Sequence, residues 1–156
     1  MKVSRLYFLM AAVVIGLLSN ITVHLSLIFN TGLLKNPIPI FIPLFFYTIL
    51  LWFISMAMSG RPLGNLPWYT TSWSLWFAVR KFIKENCPSW LVWLNRIFST
   101  YVIALFLYFF IFFKGKDDDF FSIVYSAFLM SCSFTSFCVT YSALHRLRNS
   151  NQVEAI

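Results

Sequence analysis

Four long apolar runs fill most of the chain: Leu6–Phe29, Ile38–Met58, Leu91–Phe113 and Phe120–Leu144. No acidic residue lies inside any of them. An α-helix rises about 1.5 Å per residue and a bilayer's hydrocarbon core is about 30 Å thick, so roughly 20 apolar residues span it. The pattern predicts an all-α, multi-pass membrane protein with four transmembrane helices. Between the second and third runs the pattern changes. Thr70–Glu85 is periodic as an amphipathic helix capped by Thr71 or Ser72. Leu75, Trp76, Val79, Phe82 and Ile83 fall on one side of it. Arg80, Lys81, Lys84 and Glu85 fall on the other, with Trp73 and Phe77 intruding among the charges. A basic helix rich in Trp and Phe suits the headgroup layer. Pro67-Trp68-Tyr69 and Pro88-Ser89-Trp90 flank it as interfacial anchors.

The ends of the runs are marked by turn and breaker residues. Lys35-Asn36-Pro37 makes a short turn, and Gly60-Arg61-Pro62 with Gly64 ends the second run. Pro37 and Pro39 are tolerable at a helix start, whereas Pro43 lies deeper and is expected to bend the first turns. Lys2 and Arg5 before Leu6–Leu18 resemble the start of a signal peptide. No small-residue cleavage site follows and the apolar stretch runs on to Phe29, so an uncleaved first span is expected. The aspartates of Lys114–Asp119 are placed to cap the fourth span, whose N-terminus has a partial positive charge.

Charge adds orientation. The net charge is +7. Lys2, Arg5, Arg61, Arg80, Lys81, Lys84, Arg96, Arg146 and Arg148 lie at the N-terminus, the loop 61–90 or the tail, and only Lys35, Lys114 and Lys116 lie on the other side. The positive-inside rule then places both termini and the loop in the cytoplasm, as an even number of spans requires. The basic balance is read as orientation plus attraction to anionic membrane lipids, not nucleic-acid binding. With 156 residues, 60% of them hydrophobic, the chain is expected to be one transmembrane domain, 1–156.

Polar positions within the runs form stripes. Ala12, Gly16, Asn20 and His24 recur every four residues along one face of the first span, with Ser19 beside them. Ser122, Ser126, Ser133 and Thr140 form one stripe on the fourth span; Ser131, Thr135, Cys138 and Ser142 form another, nearly opposite. Small residues let helices approach closely, and Asn or His must find partners in lipid. These residues are expected to serve helix packing or to line a pore. Two small faces on one helix imply two close helix neighbours. One face in a lone four-helix bundle usually sees lipid, so they point to a homo-oligomer assembled through spans one and four, or to a central helix lining a wet cavity. The cysteines Cys87, Cys132 and Cys138 show no zinc spacing and are expected to be structural.

Catalysis needs acids, bases, nucleophiles or metal ligands gathered at one depth. The spans hold no Asp or Glu, one imidazole (His24), and none of the common catalytic motifs. The expectation is a non-enzyme with no cofactor and no metal. In size, predicted topology and basic loop, the chain resembles small four-span bacterial inner-membrane accessory proteins. These include bacteriocin immunity proteins and membrane subunits of phage-defence systems, such as that of the Kiwa system. The resemblance implies a subunit that senses or anchors at the bacterial inner membrane and recruits a cytoplasmic protein partner. The surface for this would be Trp73, Trp76, Phe77, Arg80, Lys81 and Lys84. The alternative is a small pore lined by Asn20, His24 and the serines of span four; a lipid flippase has less support, since no headgroup-binding signature is present.

Overall fold

A computed structural model describes residues 3–29, 38–59, 72–112 and 118–153. They form five helices: α1 (Val3–Ile28), α2 (Ile38–Ser59), α3 (Ser72–Asn86), α4 (Ser89–Phe112) and α5 (Asp118–Val153). There is no strand among the described residues. α1, α2, α4 and α5 are each long and apolar enough to cross a membrane, which supports a multi-pass membrane protein. Their outward surfaces agree with that. Phe8, Phe29, Phe46 and Phe110 are between 66% and 79% exposed. Such large apolar surfaces are a liability in water and suit contact with acyl chains.

The most polar of the four sits in the middle. α5 touches every other helix. Within the membrane-spanning stretches, 61% of the α5 window is buried, against 28% for α1, 22% for α2 and 6% for α4. Small side chains explain the arrangement: Ser126, Ala127, Ser133, Ser136, Cys138 and Thr140 are all buried on α5, and they admit neighbouring backbones on several sides. The polar tail expected after Leu144 is a continuation of α5 to Val153. No Gly or Pro interrupts this stretch. At 36 residues, α5 is about 54 Å long and overshoots the hydrocarbon core.

Near its basic end α5 meets α3. Val79, Phe82 and Ile83 of α3 are buried in one cluster with Leu6 and Leu9 of α1, Leu91 of α4, and Val139 and Ala143 of α5. Val79, Phe82 and Ile83, the described part of the amphipathic helix's apolar side, are therefore covered by the bundle. α3 is joined to α4 by two residues only. The Cys87 N–H still donates to the Ile83 carbonyl (2.9 Å), closing the last turn of α3. Pro88 cannot continue that helix, and its carbonyl accepts from the Leu91 and Val92 N–H groups at 3.0 and 3.2 Å, which starts α4. This short link ties α3 firmly to a spanning helix.

Side-chain pairs fix the helix directions. His24, Tyr101 and Ser126 meet at one level of the bundle; Ser55 with Thr140, and Cys87 with Ser142, meet nearer the other end. Hence α1 and α4 run one way, α2 and α5 the other. Arg5, Arg80, Lys81, Lys84, Arg96, Arg146 and Arg148 gather at one end as a result, the basic end. α2 passes through Pro43 without interruption. Thr71, the Pro67-Trp68-Tyr69 anchor, Lys35-Asn36-Pro37 and Asp117 lie outside the described residues.

Candidate functional site

A polar seam runs down the inside of the bundle. Asn20 of α1 is 1% exposed, and its Nδ2 donates to Thr48 Oγ1 of α2 at 3.0 Å and Ser133 Oγ of α5 at 2.6 Å. One amide thus joins three helices. Its Oδ1 has no partner among the described residues. One turn along α1, His24 makes the matching junction with α4. Its Nδ1 lies 2.8 Å from Ser126 Oγ, and its Nε2 lies 3.0 Å from Tyr101 OH. Ser126 already donates to the Ile123 carbonyl at 2.8 Å, so it accepts from His24. Nδ1 then bears the proton and Nε2 accepts from Tyr101. A neutral imidazole satisfies both bonds, as a low-dielectric interior demands.

The two stripes of α5 face different neighbours. Ser126, Ser133 and Thr140 point to α1 and α2, with Thr140 donating to Ser55 Oγ at 3.2 Å. Thr135 donates to Asn95 Oδ1 of α4 at 3.2 Å, and Ser142 lies 3.1 Å from Cys87 Sγ at the α3–α4 link. Both small faces are thus filled within one chain. Ser122 is half-buried at the far end of its stripe. Ala12 and Gly16 receive Tyr47 of α2, whose hydroxyl donates to the Ala12 carbonyl at 2.8 Å. A Cβ on Gly16 would stand 2.8 Å from the Tyr47 ring, so this close approach requires glycine. Ser19 is exposed and bonds its own helix through the Ile15 carbonyl, apart from the seam.

Thr48 and Ser55 were not singled out by the sequence reading, though a signal was present. They are seven residues apart on α2, as Ser133 and Thr140 are on α5. Parallel helices crossing at a shallow angle meet at that spacing. Tyr47 and Tyr101 had no comparable signal, since each stands among many aromatic residues.

The second region is the basic end. With Val79, Phe82 and Ile83 buried, α3 presents Phe77 (60% exposed), Arg80, Lys81 and Lys84 outward. Lys81 pairs with Glu85 at 3.9 Å across an exposed helical turn, an interaction of small energetic weight. Between α3 and α4 lies a cleft of about 520 Å³ lined by Phe77, Arg80, Lys84, Val92, Asn95 and Arg96, among others. Arg96 lies over the Trp93 ring, 5.4 Å from its centre. Partial burial, and then the nearby Arg96 guanidinium, lower the Arg80 pKa from its ordinary value. Arg80 stays charged, but two guanidinium groups feel each other there. The side chains of Trp73 and Trp76 lie outside the described residues, although both belong to α3.

No group of three or more metal-ligating side chains occurs among the described residues. In comparisons with known proteins, no family model, no curated protein and no solved structure matches the chain.

Proposed function

We propose that the chain is a non-enzymatic subunit of a bacterial inner membrane that presents a rigid basic helix on the cytoplasmic side and recruits a protein there. One observation supports this above the others. α3 buries Val79, Phe82 and Ile83 against the bundle and turns Phe77, Arg80, Lys81 and Lys84 away from it. A helix held in this way offers a preorganised surface, and preorganisation lowers the ordering cost of binding. Exposed aromatic and arginine side chains are common anchors in protein interfaces. The cations favour a partner with an acidic surface. The gathering of basic residues at one end favours a cytoplasmic placement of that end, with both termini on the same side. Phage defence or bacteriocin immunity is the proposed setting.

The seam supports a structural reading of the polar spans. His24 has both ring nitrogens engaged, and the spans hold no carboxylate to serve as acid or base. The test is co-purification from native membranes. Changing Trp73, Phe77, Arg80 and Lys81 together to Ala should abolish recovery of the partner while membrane insertion is unchanged. Equal recovery by the fourfold variant would overturn the recruitment reading.

A further inference from the structure

We infer that the cleft between α3 and α4 is a binding site for the phosphate headgroup of an anionic phospholipid, held by Arg80, Lys84 and Arg96. The charge count is one argument. Arg80, Lys81, Lys84 and Arg96 line the cleft with a single carboxylate, Glu85, and that carboxylate is paired with Lys81. Beyond that pair, Lys84 and Arg96 bring two further positive charges to the lining, which an anion complements. The uncharged lining also fits. Asn95 is 8% exposed and its Oδ1 is taken by Thr135, so what it offers the cleft is amide N–H donors. Phe77, Ile83 and Val92 add apolar walls suited to glycerol and the first methylenes of an acyl chain.

Depth selects a lipid over a free anion. Arg96 lies seven residues into α4, about 10 Å below Ser89 along a helix that otherwise spans the membrane. Trp90 and Trp93, each 62% exposed, flank it in the manner of an interfacial belt. The cation–π contact with Trp93 holds the Arg96 guanidinium at headgroup level. Lowering of the Arg80 pKa by burial and by Arg96 is consistent with two cations poised around one anion. Phe77, Arg80 and Lys81 border the cleft as well as the proposed recruitment surface, so the test changes only Lys84 and Arg96 in the cleft and reads lipid retention in purified protein, where protein recruitment plays no part.

Native mass spectrometry of the full chain, released from detergent micelles with equal amounts of phosphatidylglycerol and phosphatidylcholine, tests it. The wild type should retain phosphatidylglycerol preferentially. Each cation near the membrane surface is worth roughly a fivefold change in affinity, so Lys84→Gln with Arg96→Gln should weaken retention roughly 25-fold. Arg5→Gln with Arg148→Gln removes the same charge at the same end and should leave retention unchanged. If the double variant is not monodisperse and helical, Lys84→Gln alone should still show the roughly fivefold loss. The inference is overturned by equal retention of the two lipids, by equal loss in the Arg5 and Arg148 control, or by inorganic phosphate displacing the lipid at matched concentration. The last result would assign the cleft to a free anion.

Discussion

Asn20 and His24 are the residues that lipid would reject most strongly in α1, and each is held by a different pair of helices. Tyr101→Phe removes the donor to His24 Nε2 without changing shape. Interhelical hydrogen bonds in membranes average about 0.6 kcal/mol and reach about 1.7. A loss of stability within that range is expected, measured by unfolding in detergent; no loss would mean that His24 Nε2 finds another donor. Gly16→Leu acts through volume instead. It drives a side chain into the Tyr47 ring and should cost about 1–3 kcal/mol, whereas the same change at the exposed Ser19 should cost little. The residues of this seam were only half legible in the sequence. Polar side chains in an apolar run announce themselves, so Asn20 and His24 stand out. Their partners do not: a tyrosine such as Tyr101, in a span full of aromatics, has nothing to mark it as the one that meets an imidazole.

Among the elements, α5 explains most of the architecture. Its opposed small faces were legible as a need for two close neighbours. What the sequence could not supply was whose helices they are. α1 and α2 fill one face and α4 with the α3–α4 link fills the other, so the stripes no longer require a second copy of the chain. α3 shows the same limit. Its apolar side was visible from spacing, and a helix lying on lipid satisfies that spacing as well as a helix packed on protein. The structure adds the protein contact: Val139 and Ala143 of α5, with Leu6 and Leu9 of α1, supply the surface on which Val79, Phe82 and Ile83 pack, and Leu147 past the apolar run borders it. Phe82→Ala with Ile83→Ala removes that packing. Core truncations of this kind cost about 2–5 kcal/mol each. Hydrogen exchange should accelerate in α3 while the amides of α1 and α5 near Asn20 and Ser133 remain protected. Uniform protection in the variant would show that the apolar contacts do not hold α3.

At the scale of the whole molecule, the described cations lie at one end of an acid-poor bundle whose sides are apolar. That asymmetry is the ground for the proposed cytoplasmic placement of this end, and the packed α3 gives the end a defined surface. Lipid and protein are then assigned to neighbouring parts of it that share a border: Lys84 and Arg96 toward α4 to a headgroup, and Phe77 and Lys81 on the rim of the same cleft to a partner. Site-specific photo-crosslinking in living cells separates the two most directly. A photoreactive residue placed at Phe77 or Lys81 should yield a discrete protein adduct that is absent when the probe replaces the lipid-facing Phe110. Adducts with lipid alone at Phe77 and Lys81 would contradict the account.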